Sequence, residues 1–360
     1  MKAYFGGKSS IAQLVWERLG DVPNYVEPFL GSGAVLLARP AGHQWWERTE
    51  TVNDLDALLA NFWRALQADP EQVAHWADSP TNENEMHARH AWLVARKAGL
   101  RARIEGDPDY YDVKIAGWWV WGMSAWIGGG WCSGDGPWHV VDGELALDAP
   151  AVALQARELA RSVGNGVERR RPHLGGGKGI NRKRPHLSRS QGINRRMALA
   201  AGDGQCEAWS AHLLATMRRL ADRLRRVRVC SGDWSRVCGP TPTIHNGLTG
   251  VFLDPPYAVG DRETVYNHDS RTVAHDVRQW AIANGDNPLL RIVLCGYQGE
   301  HQMPDGWTTV SWRANGGYSN QARGGRSENY QRECLWCSPH CLRPTQPSLF
   351  SMEDEADHER

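Results

Sequence analysis

The apolar run Val251-Phe252-Leu253 stops abruptly at Asp254-Pro255-Pro256-Tyr257, and that junction limits the folds open to the chain. Three apolar residues suit a buried strand. Two prolines, with φ fixed and no N–H to give to a ladder, end it and stiffen the turn. The carboxylate is thereby expected at the carboxyl edge of a sheet, where open α/β folds bind ligands. Pro255 leaves a rigid carbonyl beside the Asp254 carboxylate, and Tyr257 offers an aromatic wall. Two acceptors beside a flat surface suit an exocyclic amino group, which has two N–H bonds to donate and a ring to stack. Taken alone, the same residues also describe a strand followed by a turn that carries a surface acid.

Earlier junctions repeat the pattern. Tyr4-Phe5-Gly6-Gly7-Lys8 leads to Ser9 or Ser10 as a helix cap and apolar residues at helical spacing, Ile11, Leu14, Val15 and Leu19. A glycine pair before a helix, with a lysine beside it, suits a carboxylate or phosphate, although it is also an ordinary turn. Tyr25-Val26-Glu27-Pro28-Phe29-Leu30-Gly31-Ser32-Gly33-Ala34-Val35 reads as strand, glycine turn, helix. Gly31 and Gly33 permit positive φ and close backbone approach. No glycine follows Gly33 at the spacing of the dinucleotide fingerprint, which disfavours a nicotinamide cofactor. Thr51-Val52-Asn53-Asp54-Leu55-Asp56 is a strand that ends in acids about 20 residues beyond the glycine turn, where α/β nucleoside sites place the carboxylate for ribose hydroxyls. Asp54 takes that role, and Asp56 caps the next helix.

From residue 69 to about 204 the strand-helix rhythm is lost, so this stretch is read as an inserted, mostly helical and irregular domain. A helix is expected near residues 90–100 and another apolar run over 115–132. The chain has 18 tryptophans, several of them between Trp118 and Trp138; core is the commoner use of such a cluster, base stacking the other. A 13-residue repeat follows, Arg171-Pro172-His173-Leu174 to Lys183 recurring as Arg184-Pro185-His186-Leu187 to Arg196. Residues 169–196 hold ten Arg or Lys and no acid: Arg169, Arg170, Arg171, Lys178, Arg182, Lys183, Arg184, Arg189, Arg195 and Arg196. Two glycine- and arginine-rich copies are too few to bury a core; a flexible basic arm that neutralises phosphates fits them best, with a solvated low-complexity loop as the other reading.

The α/β rhythm returns with a helix over 206–224, the strand Val227-Arg228-Val229-Cys230 and the turn Gly232-Asp233-Trp234, whose acid and indole suit an adenine amino group and ring. A helix over 273–283, a strand over 292–295 and a last strand pair near 307–312 and 333–336 complete the sheet. Cys334, Cys337, His340 and Cys341 straddle a strand end, where alternation points Cys334 and Cys337 to opposite faces, so no metal is expected. The 41 basic and 41 acidic residues cancel, and only their distribution is informative. Eight cysteines without a framework and no apolar run of membrane length point to a reducing, cytoplasmic setting with no membrane partner. Residues 346–360 read as a disordered acidic tail.

In order and content these pieces resemble the Dam-like class of N6-adenine DNA methyltransferases that use S-adenosyl-L-methionine. The pieces are Tyr4-Phe5-Gly6-Gly7-Lys8, Glu27-Pro28-Phe29-Leu30-Gly31-Ser32-Gly33, Asn53-Asp54, Gly232-Asp233-Trp234 and Asp254-Pro255-Pro256-Tyr257. The resemblance implies a Rossmann-like methyltransferase sheet built from residues 1–68 and 205–345, with 69–204 as the target-recognition insertion. It implies that Tyr4, Phe5 and Lys8 contact the cofactor, with Lys8 near its carboxylate. Phe29 to Gly33, with Gly31, Ser32 and Gly33 among them, would line its methionine part and Asp54 would take the ribose, while Glu27, Pro28, Asp233 and Trp234 would also bind the cofactor. Asp254, Pro255, Pro256 and Tyr257 would receive a flipped adenine. The sulfonium supplies the electrophile, so the reading calls for DNA and S-adenosyl-L-methionine but no metal. The insertion is unlike that of the best-known members, so no recognition sequence carries over. Transfer to N4 of cytosine and a catalytically silent DNA-binding module remain as alternatives, and the sequence names no nuclease partner or oligomer.

Overall fold

The computed structural model describes residues 8–42, 47–107, 109–126, 131–132, 138–141, 144–147, 205–256, 272–312 and 333–343. Its strands are β1 (Asn24–Glu27), β2 (Thr49–Asp54), β3 (Trp138–Val141), β4 (Glu144–Leu147), β5 (Val227–Ser231), β6 (Thr249–Leu253), β7 (Leu290–Tyr297), β8 (Thr308–Ser311) and β9 (Glu333–Cys337). Seven of them form one sheet in the order β5-β2-β1-β6-β7-β9-β8, and β3 pairs with β4 in a separate hairpin. The first five in that order run parallel, and β9 lies antiparallel between β7 and β8. Strand order therefore reverses between β1 and β6. In open α/β sheets, that switch point is where a crevice opens beyond the carboxyl ends.

The helices are α1 (Ala12–Leu19), α2 (Ala34–Leu37), α3 (Ala57–Ala68), α4 (Pro70–Ala77), α5 (Glu83–Gly106), α6 (Val113–Ala125), α7 (Gln205–Leu224) and α8 (Val273–Asn284). Every residue of β1 and β6 is buried, as parallel strands covered on both faces require. Alternate residues divide between two apolar clusters. Tyr25, Phe252, Val293 and Leu335 pack with Val15 and Leu19 of α1. Val26, Val251, Leu253, Ile292 and Leu294 pack with Val277 and Ala281 of α8. Cys337 belongs to the first cluster and Cys334 to the second, so these two thiols do lie on opposite faces. Neither Ser9 nor Ser10 caps α1. Both occupy the preceding turn, and Ile11 stands at the cap without a side-chain hydrogen bond.

The described helices beyond residue 69 share their core with the sheet. Asp69 joins α3 to α4, its side chain accepting the Gln72 N–H at 3.0 Å with Pro70 in the first turn. Asn61 of α3 exchanges two 2.8 Å hydrogen bonds with the Asp112 backbone and so seats the start of α6. Trp119 and Trp121 are buried, and Trp119 lies 5.5 Å from the Phe62 ring between centroids. Of the tryptophans between 118 and 131, Trp119, Trp121 and Trp131 are core, and Trp118 and Trp126 are half-buried against it. Arg223 of α7 is an internal tie, because its guanidinium grips both oxygens of the buried Glu50 carboxylate in β2 at 2.7 and 2.8 Å. Arg39 adds a third contact at 3.0 Å. Among the described residues no helix is long and apolar enough to cross a membrane.

Helices α4 and α6 approach so closely at Gly117 that a Cβ there would stand 2.3 Å from Trp76 Cβ and 2.9 Å from the Val73 carbonyl oxygen. Neither neighbour is a flexible side-chain end. Gly117→Ala should therefore lower stability by about 2 kcal/mol although alanine is the better helix former. Urea unfolding measures this, and a stability gain would show that α6 lifts off α4 without cost.

Candidate active site at the carboxyl edge of the sheet

Beyond the ends of β1, β2, β5 and β6 lies a cleft of about 920 Å³, part of it open to solvent. Its walls come from strand ends and the turns that follow them: Glu27 to Ser32 after β1, Asn53 to Asp56 after β2, Gly232 to Trp234 after β5, and Asp254 and Pro256 after β6. Lys8 closes it on one side.

Two residues of β2 hold these turns together. The Asn53 side-chain amide donates to the Pro28 carbonyl at 3.1 Å and to the Gly232 carbonyl at 3.0 Å, bridging the turns after β1 and β5. Leu30 N–H donates to the Asn53 carbonyl at 2.9 Å, and Gly232 N–H to the Asp54 carbonyl at 3.1 Å. Gly31, at φ +50°, turns its N–H onto Asp54 Oδ2 at 2.9 Å, and Asp56 N–H meets Asp54 Oδ1 at the same distance. Burial pushes the Asp54 carboxyl up to about 6, against the pull of those two N–H donors. Asp56 meanwhile caps α3 through the Leu58 N–H at 3.0 Å.

The other predicted residues fall as follows. Glu27 is buried and accepts the Tyr25 hydroxyl at 2.9 Å, and burial holds its carboxyl well above the usual carboxylate range. Phe29 and Trp234 are half-buried and stack with centroids 6.3 Å apart and planes at 26°. Asp233 is exposed and turns back to accept the Ser235 N–H at 3.0 Å. Lys8 is buried, with Nζ 3.2 Å from Asp254 Oδ1 and 3.5 Å from Glu333 Oε2. Its charge faces the acceptor motif.

Lys8, Glu27, Pro28, Phe29, Gly31, Ser32, Asp54, Asp233, Trp234, Asp254 and Pro256 thus share one cleft. Gly33 and Pro255 are outside its lining. Gly33, at φ +65°, instead starts α2, its N–H on the Leu30 carbonyl at 2.8 Å with Trp63 packed behind it. Tyr4, Phe5, Tyr257 and the basic residues of 169–196 lie outside the described residues. Sequence reasoning missed Glu333 and the Asn53 bridge. It also missed Phe252 and Val273, which line the cleft from β6 and α8.

An open, mostly parallel sheet with a cleft at its switch point is an α/β fold consistent with methyltransferases. Residues 4–101 match the family model of the D12 class N6 adenine-specific DNA methyltransferases. The match runs from the glycine pair through β1, β2, α3 and α4 and ends within α5, so Asp254 stands outside it. No curated protein matches the chain.

The raised Asp54 value has a sign that can be read. A carboxyl with a folded pKa above its unfolded one stabilises the fold in acid, and that contribution is lost as the pH rises from about 4 through about 6. Carbon-13 NMR of the Asp54 carboxyl should give a midpoint near 6. A midpoint near 4 would mean that the Gly31 and Asp56 donors outweigh burial.

Proposed function

We propose that the protein transfers a methyl group from S-adenosyl-L-methionine to N6 of an adenine in DNA. The observation that carries this reading is the placement of Asp254 at the β1/β6 switch point, on the wall of a cleft that also holds a ribose-type acid and paired aromatic rings. The match of residues 4–101 to an N6-adenine family supports the choice of reaction and base.

The cleft residues fit a nucleoside. Among the described residues no donor meets the buried Asn53 Oδ1, an acceptor beside the cleft. Asp54 would accept ribose hydroxyls, the stacked Phe29 and Trp234 rings would offer an aromatic face to an adenine ring, and Asp233 would accept its amino group. Glu27, Pro28, Gly31 and Ser32 would enclose the methionine part, with Lys8 at its edge. When bound, S-adenosyl-L-methionine supplies the methyl group on a sulfonium, an electrophile ready for attack.

Asp254 and the Pro255 carbonyl would accept the two N–H bonds of the target amine. That draws the nitrogen lone pair out of conjugation with the ring and aims it. Methylation leaves a positive charge on N6, which the Asp254 carboxylate stabilises until a proton departs. The Lys8 ammonium, 3.2 Å from Asp254 Oδ1, complements the charge of that carboxylate. The target base must leave the duplex to reach Asp254, and Tyr257 would stack on it.

In this reading residues 1–68 and 205–345 are catalytic and 69–204 recognise the target. The basic arm over 169–196 would hold phosphates.

Asp254→Ala should slow single-turnover methyl transfer by about two to three orders of magnitude, the scale of losing a preorganised electrostatic partner. Cofactor affinity, measured by calorimetry, should stay within about threefold, since the acid serves the target amine. Full activity in that variant would remove Asp254 from the chemistry.

A further inference from the structure

Glu333 has no part in the steps above, yet it stands among the groups that perform them. It is the first residue of β9. Because β9 runs antiparallel to β7, that first residue sits at the carboxyl edge of the sheet, opposite Tyr297 at the end of β7. The Trp312 N–H donates to the Glu333 carbonyl at 3.3 Å and fixes the backbone where the strand begins.

From this anchor the side chain reaches Lys8. Lys8 Nζ lies between Glu333 Oε2 at 3.5 Å and Asp254 Oδ1 at 3.2 Å, with the Trp312 ring 5.9 Å away. Side-chain exposures are 8 % for Lys8, 14 % for Asp254 and 16 % for Glu333, so water screens these charges poorly. Both separations exceed the roughly 2.7–2.9 Å of a closed charge-assisted hydrogen bond. The ammonium is shared between two carboxylates, nearer Asp254 than Glu333, and loss of the Glu333 charge would draw it further toward Asp254.

Among the described residues, other titratable groups lie near this cluster. Glu27 comes from β1, Cys295 from β7, Glu300 from the turn after β7, and Cys334 from β9 itself. Burial pushes the Cys295 thiol well up and the Cys334 thiol up to about 12, and holds the Glu27 carboxyl high, which disfavours charge on all three. Burial also pushes the Glu333 carboxyl up, and the Lys8 ammonium beside it pulls the other way, so the charge of Glu333 depends on its contact with Lys8. A lysine closed on Asp254 would occupy the acceptor that the target amine needs. A lysine shared with Glu333 competes less with the target amine for that carboxylate.

We propose that Glu333 is a positioning residue for methyl transfer, holding Lys8 partly off Asp254 so that the acid can receive the target amine. The inference rests on the N6-adenine reading. It is tested with Glu333→Gln in the full chain, which keeps the shape and removes the charge. Single-turnover transfer should fall about tenfold while cofactor KM and DNA Kd stay within about twofold. The acid limb of its pH profile should move to lower pH, because a closer Lys8 favours ionised Asp254. Glu333→Asp, with the charge kept but withdrawn by one methylene, should recover part of the rate, and it serves as the test if the glutamine variant does not fold. With an active wild-type protein, an unchanged rate and acid limb in Glu333→Gln overturn the inference alone. Parallel loss of cofactor binding and rate would assign Glu333 a structural role and also overturn it. A wild-type protein that binds cofactor and methylates no adenine overturns the reading beneath it.

Discussion

Parallel strands that end at one edge leave their last carbonyls and the following turns without partners from the ladder, and here the last two residues of β2 supply them. Asn53 spans the turns after β1 and β5, while Asp54 collects the Gly31 and Asp56 N–H groups. An apolar residue at 53 would strand the Pro28 and Gly232 carbonyls, and each buried polar group left unpaired costs about 1–3 kcal/mol. The same bonds set the width of the cleft and the direction of its acids. Glu27 is held by Tyr25, Asp54 by two backbone donors, and Asp254 by Lys8. Carboxyl groups are thus fixed around a hollow before any ligand arrives, which is the preorganisation that positional catalysis needs.

This edge was legible in the sequence because each junction is chemically abrupt. An apolar run cut by Asp254-Pro255-Pro256, by Gly31-Ser32-Gly33, by Asn53-Asp54 or by Gly232-Asp233 marks a strand end, and parallel strands bring all such ends to one side. Glu333 escaped because its strand is antiparallel. Local sequence does not record strand direction, so the first residue of β9 reads like any other strand start although it lands among the last residues of the others. Arg223 escaped for a related reason. In sequence it belongs to a cluster of arginines at a helix end, and only the packing of α7 on β2 shows that its partner is Glu50. Gly33 shows the converse, a glycine of the turn whose freedom serves the start of α2 and not the cleft.

The helices between β2 and β5 are an insertion in strand order and a continuation of the core. Asp56 lines the cleft and caps α3, α3 carries Phe62 against Trp119 of α6, and Asn61 anchors Asp112. A substitution in α6 therefore acts on the packing behind the cleft as well as on the inserted stretch. The family match tells the same story from the sequence side, since it passes residue 69 without interruption and ends within α5. Composition marked the change of rhythm at 69, but indoles that pack on α3 and indoles that face solvent look alike in a sequence.

The central claim is tested most directly by incubating the protein with unmethylated duplex DNA and S-adenosyl-L-methionine carrying a labelled methyl group, then resolving the digested nucleosides by mass spectrometry. The account predicts the label in N6-methyladenine. Label in N4-methylcytosine alone would contradict the choice of base while leaving the cofactor site standing. A protein that binds the cofactor and labels no DNA would contradict the account itself.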